Sequence, residues 1–210
     1  VTVRPRRDWG DTGGLPAGAP IVATDAAAAA VAAATATDGP GDGSGDEVAI
    51  VGLVGGDLCR TLGGRGDPAA LADANRPRLP VDVGWIRLDD GEERPFVAHV
   101  LAHRWAWRGR FVAVMNAERA GERRLAPRAH PGDGRLDLLD GALPLDQRLA
   151  ARRRVRTGDH VPHPAIRERR VRELDVDLGR PVPVRVDGVP AGRARRLRAR
   201  VVPDGLVVVV

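Results

Sequence analysis

Residues 173–210, ELDVDLGRPVPVRVDGVPAGRARRLRARVVPDGLVVVV, decide the fold class. Leu174, Val176 and Leu178 alternate with Glu173, Asp175 and Asp177; Val182, Val184 and Val186 alternate with Pro183 and Arg185; Leu197, Ala199 and Val201 alternate with Arg196, Arg198 and Arg200. A period of two sends one row of side chains to a core and the other to solvent, the pattern of half-buried strands. Gly and Pro turns separate the runs, so the segment predicts an antiparallel sandwich or barrel. Asp187-Gly188, between two such runs, has the composition of a type I′ hairpin turn. Upstream, VDVGWIRL, PFVAHVLA and RFVAVMN also read as extended, with the change to period two near Pro80. Residues 146–156 read as a helix or a basic loop between sheets.

Before Pro80 the pattern differs. A short apolar stretch over residues 20–24 is followed by Asp25, which can cap an alanine-rich helix ending near Asp38, and then by the loop GPGDGSGD. Residues 48–53 form an apolar strand running into GGDLCRTLGG, a βα unit of a small parallel layer. Alanine buries little area, so this layer needs the remainder of the protein or a second copy for stability. The expected fold is α+β, a truncated α/β layer over residues 1–79 followed by an antiparallel β-sandwich over residues 80–210.

With 210 residues, 43% hydrophobic and 29% charged, the chain can bury a core, and its longest apolar run, residues 26–34, is too short to span a bilayer. The opening VTVRPRRDWGD places charges where a signal peptide needs apolar residues, and the single Cys59 excludes an intramolecular disulfide. A cytoplasmic protein, in some settings peripheral to the membrane, is expected. All 33 basic residues are arginine; residues 148–200 hold 16 of them against six acids, a local +10, and the remainder carries −5. That asymmetry suggests an anionic partner, a phosphate, an acidic membrane or a nucleic acid, with Arg152, Arg153 and Arg154 as candidate contacts. Solvated strand faces are the plainer reading of the same charge. Nucleic acid is disfavoured, since neither a recognition helix nor an aromatic sheet motif is present.

Three segments in order are similar to lipid kinases of the diacylglycerol kinase and sphingosine kinase type. GGDLCRTLGGRGDP followed by PVDVGWIRL resembles that family's GTGNDFARTLG and VDLG strand; MNAERAGERRLAPRAHPGDGRLDLL resembles its asparagine, AP-A and DG-LD segment; GDHVPHPAIRERRVRELDVDLGRPVPVRVDGVPAG resembles its H-P stretch and VDGE ending. The resemblance implies ATP-dependent phosphorylation of a lipid hydroxyl, with ATP and Mg²⁺ as cofactors. Asp57 matches the aspartate of GND, an alternative role being helix capping. Asp187 matches the candidate general base of VDGE, although Val189 stands where the family has glutamate. Gly55 and Gly56 would be the nucleotide contacts, and Asp133 and Asp137 match an acidic pair near which some members hold a metal. Hard cations need more oxygen ligands than the sequence identifies, and a plain turn at Gly132-Asp133-Gly134 is the favoured reading of that stretch. The GGDGT nucleotide loop of the family does not occur, so the resemblance implies a degenerate kinase, or a non-catalytic module holding an anionic lipid or phosphorylated ligand with no cofactor. A homodimer or a separate chain could complete the site.

HRWAWRGR, read as a strand, puts His103, Trp105 and Trp107 on one face, suited either to a core or to a membrane interface. On a strand His99 and His103 stand more than about 10 Å apart and cannot share a zinc ion. His160 and His163, beside prolines, read as structural.

Overall fold

The computed structural model describes residues 9–35, 48–158 and 160–210, with side chains of residues 145, 146, 149, 150 and 152 outside the description. The glycine-rich loop of residues 39–46 lies outside the described residues, as does the Arg152 side chain. In chain order the elements are β1 (Asp11–Thr12), β2 (Ile21–Val22), α1 (Asp25–Thr35), β3 (Ile50–Leu53), α2 (Gly56–Thr61), β4 (Pro77–Leu88), β5 (Glu93–Phe96) and β6 (His99–Ala102). They continue with β7 (Arg110–Met115), β8 (Arg119–Ala120), β9 (Arg123–Arg124), β10 (Leu136–Ala142), α3 (Leu145–Arg154), β11 (Ile166–Val171), β12 (Glu173–Val186) and β13 (Val189–Val209).

The alternating C-terminal residues are strands, and the architecture is an antiparallel β-sandwich carrying a small α/β layer. Strand order in the main sheet is β1-β4-β13-β12-β6-β7-β10-β11, with β5 on β4 and β3 and β2 continuing from β13. β13 joins the two parts. Its first stretch pairs antiparallel with β12 and β4; after a register shift between Val202 and Leu206, Val207–Val209 lies parallel to β3. One row of alternating residues, including Val176, Val184, Val186, Leu197 and Ala199, packs with Ile86, Phe96, Val114 and Leu138 inside the sandwich. Gly84 is glycine because Phe96 lies on it: a Cβ there would stand 2.2 Å from the ring.

In the other layer Ala28, Ala29 and Ala32 of α1 pack on Val51, Leu53, Val81 and Val208, small side chains letting the helix approach the sheet closely. Two local expectations are corrected. Thr24, whose hydroxyl accepts from Ala27 N–H at 3.2 Å, caps α1, while the Asp25 carboxylate turns toward α2. PFVAHVLA is two strands with a bend at Val97 and Ala98, because backbone N–H groups there bond a side chain instead of a ladder. No helix among the described residues is long and apolar enough to cross a membrane.

Asp82 of β4 pins the joint between the layers. Its carboxylate accepts from Gly134 N–H at 2.7 Å and from Asp204 N–H at 3.2 Å in the β13 irregularity, while its carbonyl accepts from Asn116 Nδ2. Burial raises its pKa to about 6, against the two N–H donors. The folded state thus binds this proton more tightly than the unfolded chain, so the contribution of Asp82 to stability falls as pH rises from about 4 to about 6, by roughly 3 kcal/mol. The free energy of urea unfolding of the parent minus that of Asp82→Asn should be larger at pH 5 than at pH 7. A difference independent of pH would show that Asp82 keeps an ordinary pKa.

Candidate functional site

β3 ends against α1, and the two glycines that follow fill the contact. A Cβ on Gly55 would stand 2.4 Å from the Ala23 carbonyl oxygen, and one on Gly56, at φ +92°, would stand 2.2 Å from Asp25 Oδ1. The Asp25 carboxylate accepts from Asp57 N–H at 2.6 Å and Leu58 N–H at 3.1 Å. The donors at the start of α2, which a phosphate oxygen would need, are therefore satisfied by the protein's own carboxylate. Burial raises the Asp25 pKa to about 6 despite these bonds, with neighbouring Asp187 and Asp57 adding to the rise. The residues at Gly55 and Gly56 do not fit a nucleotide phosphate.

Asp57, at the first turn of α2, reaches three other elements. Its Oδ2 lies 2.9 Å from His99 Nε2 on β6, both oxygens accept from Gly121 N–H between β8 and β9, and Oδ1 accepts from Arg60 at 2.6 Å. Burial pushes its pKa up, but bonds from His99, Gly121 and Arg60 outweigh this and hold the carboxyl below its ordinary value. An ionised carboxylate only accepts, so the network assigns the hydrogen to His99 Nε2. His99 is 2% exposed, and its Nδ1 has no hydrogen-bond partner among the described residues.

Asp187 lies on the other side of His99. Positive φ at Asp187 (47°) and Gly188 (78°) makes the expected I′ turn between β12 and β13. Its carboxylate accepts from the N–H groups of Val97, Ala98 and His99, each at 2.9 Å. Burial, partly opposed by these donors, raises its pKa. Asp57 and Asp187, far apart in sequence, thus converge on His99. Asp133 and Asp137 sit elsewhere: Arg170, the cross-strand partner of Asp137, bonds Asp133 and lies 3.8 Å from Asp137 Oδ1. A guanidinium between the carboxylates does not fit a bound cation, and no cluster among the described residues has a metal-ligand arrangement. Arg153 and Arg154 are exposed on α3.

A cleft of about 670 Å³ adjoins this cluster. Asp57 and His99 line its buried part; Leu101, Phe111, Leu125, Leu139, Val155 and Ile166 form apolar walls; Arg123, Arg148, Arg185 and the Trp105–Trp107 turn complete it. HRWAWRGR is therefore not a strand. A 3₁₀ turn at Trp105–Trp107, with Ala106 at φ +52°, leaves Trp105 80% exposed, while Trp107 stacks on His103 with centroids 4.2 Å apart. Sequence reasoning also weighed His99 only as a zinc ligand. A lone histidine in an otherwise apolar strand was the available signal for its buried acidic partner.

A curled antiparallel sandwich joined to a βα layer, with an apolar cleft ending at buried polar groups, defines an NAD kinase-like β-sandwich. Residues 88–210 match the YegS C-terminal NAD kinase beta sandwich-like domain, and the chain belongs to that family. Among solved structures, one of a protein assigned as a diacylglycerol kinase from Bacillus anthracis str. Sterne is similar with a TM-score of 0.56 and 14% identity, over 77% of this chain and 68% of that one. A second diacylglycerol kinase structure from the same organism gives 0.50 and 14%, over 77% and 66%. At such identity the likeness concerns the fold, and it agrees with the lipid-kinase resemblance in the sequence. No curated protein matches the chain.

The Asp187 carboxylate holds three buried N–H groups, and an orphaned buried donor costs about 1–3 kcal/mol. Asp187→Ala should lower the unfolding free energy by about 3 kcal/mol or more in urea titrations, and Asp187→Asn, which keeps one acceptor oxygen, by less. Equal stability of the alanine variant and the parent would remove this role.

Proposed function

We propose that the chain binds a lipid, its hydrocarbon in the apolar cleft and a hydroxyl of its head donating to His99 Nδ1. The observation that carries this reading is the juxtaposition of a largely apolar cleft with one buried, partnerless acceptor. Its volume of about 670 Å³ lies in the ordinary range of roughly 300–1,000 Å³ for small-molecule sites. A hydroxyl reaching Nδ1 would satisfy a buried group that otherwise carries a desolvation penalty, whereas a purely apolar ligand would leave it unpaired. Asp57 engages Nε2, so that a neutral ring would offer Nδ1 as the acceptor, and Asp187 fixes the bend from which His99 emerges.

Phosphorylation of that hydroxyl, the reaction implied by the lipid-kinase resemblance, belongs to the same reading as its catalytic extension. It would require a nucleotide held by groups other than Gly55 and Gly56, and a base other than the fully bonded Asp187 carboxylate. We therefore propose a lipid-binding module of lipid-kinase descent, acting without ATP or Mg²⁺ of its own.

Dioctanoylglycerol kept below its aggregation concentration should bind saturably in calorimetry. His99→Leu should weaken binding about tenfold, the equivalent of one hydrogen bond to a buried acceptor, and His99→Gln, which restores an acceptor oxygen, should weaken it less. Circular dichroism would confirm that both variants fold. Absence of dioctanoylglycerol binding by the parent would overturn the reading.

ATP with Mg²⁺ should leave the unfolding midpoint unchanged. A rise that grows with ATP concentration at 0.1 M salt would reveal a nucleotide site and favour the kinase extension.

A further inference from the structure

We propose that the rim of the cleft is a docking face for an anionic lipid bilayer, with Trp105 as its apolar anchor and unpaired arginines as its phosphate contacts. The inference adds a surface to the lipid-binding reading and rests on different residues.

Trp105 is 80% exposed, the most exposed large hydrophobic among the described residues. Its position is built. Ala106 and Trp107 both hold positive φ, 52° and 57°, a conformation unfavourable for residues with a Cβ, and Gly109 follows at 72°. Beneath the tip, Trp107 stacks on His103 and meets Phe111 edge to face at 5.1 Å, which fixes the base of the turn to the cleft wall. The turn thus holds one indole outward while its neighbour packs inward.

Charge is arranged about the same tip. Arg104 and Arg108 flank Trp105, and the Arg108 guanidinium lies 5.9 Å from its ring. Arg148 and Ala151 of α3 line the cleft together with the turn, and exposed Arg153 and Arg154 follow on that helix. Among the described residues, none of Arg104, Arg108, Arg148, Arg153 and Arg154 takes part in an ion pair. Several arginines of the sandwich strands are instead paired. There Arg196 meets Asp175 at 2.6 Å, Arg200 meets Glu93 at 2.9 Å, Arg198 lies 3.6 Å from Asp175 and Asp90, and Arg195 lies 3.7 Å from Asp177. Arg170, Arg195, Arg196, Arg198 and Arg200 thus have acidic partners, whereas the arginines around the Trp105 tip are among those free to meet an external anion. Burial, reinforced by nearby Arg123 and Arg185, correspondingly lowers the pKa of His103 at the same place.

An indole among guanidinium groups matches the interfacial zone of a bilayer, where the ring sits at headgroup depth and arginine meets phosphate. A cleft lined by hydrocarbon-like side chains opens at that rim, which favours lipid over nucleic acid. Single-stranded binding uses successive aromatic platforms, and one exposed ring does not supply them.

The test uses the full chain and vesicles of phosphatidylcholine with 0% or 30% phosphatidylserine. At 0.1 M salt the parent should sediment with the acidic vesicles and not with the neutral ones, its tryptophan emission shifting to the blue. Arg104→Gln with Arg108→Gln, and separately Arg153→Gln with Arg154→Gln, should each lower partitioning about 25-fold, at roughly fivefold per arginine. Trp105→Ala should lower it about tenfold and abolish most of the blue shift. The Arg153→Gln, Arg154→Gln variant, whose residues do not line the cleft, should bind dioctanoylglycerol in vesicle-free solution like the parent. Undiminished partitioning of both arginine pairs, equal binding to neutral vesicles, or displacement from acidic vesicles by an equimolar single-stranded oligonucleotide would each overturn the docking face. Vesicle binding without dioctanoylglycerol binding would overturn the cleft reading and leave the docking face standing; the reverse would do the opposite.

Discussion

The contact between Asp57 and His99 is the constraint around which the site is arranged. One buried carboxylate meets α2, β6 and the β8–β9 turn, with bonds to His99, Gly121 and Arg60 strong enough together to keep it ionised despite burial. A buried charge is tolerated only when its oxygens are satisfied, so these elements must arrive in one geometry. The consequence is chemical as well as structural. With Nε2 engaged by Asp57, the other ring nitrogen of His99, Nδ1, is left without a partner, and the neighbouring Asp187 holds the backbone from which the ring projects. Asp25 has a different environment: its oxygens serve the start of α2, and nearby carboxylates help burial to raise its pKa.

Charge follows a related rule. Acidic and basic residues on the outer rows of β12 and β13 face one another across the ladder, as Asp175 with Arg198 and Asp177 with Arg196. Such exposed pairs contribute little stability each. Their larger effect is to localise part of the charge of a cationic segment, leaving the arginines without acidic neighbours to act at longer range.

Much of the fold is legible in sequence because it depends on local pattern. Alternation across residues 173–201 produces strands, Asp187-Gly188 turns them, and the apolar run into GGDLC produces β3 and α2. The site is less legible because its contacts join residues far apart. His99 and Asp57 are separated by 42 positions, and the Asp187 carboxylate bonds backbone about 90 positions away. No period marks such pairs. The Trp105 turn escaped for another reason: positive φ at Ala106 and Trp107 contradicts the local preference of both residues, which the alternating reading of HRWAWRGR followed. Asp25 adjoins α1 in sequence and so reads as its cap, whereas its carboxylate serves α2.

The glycine pair at the start of α2 shows why a motif and its chemistry must be separated. Gly55 and Gly56 have the composition of a phosphate-approaching turn, and the positive φ at Gly56 is of the kind such turns use. Here the approach is made by Ala23 and the Asp25 carboxylate, and any Cβ would collide with them. The requirement for glycine therefore follows from close packing against Ala23 and Asp25 and, at Gly56, also from its backbone conformation, with no phosphate needed to explain it. An anion position occupied by a side chain of the same protein needs no external phosphate, and among the buried polar atoms without a partner in the described residues His99 Nδ1 belongs to a residue lining the apolar cleft. In the lipid-binding reading proposed above, the centre of recognition accordingly lies in the sandwich, whose side chains give the cleft its apolar walls.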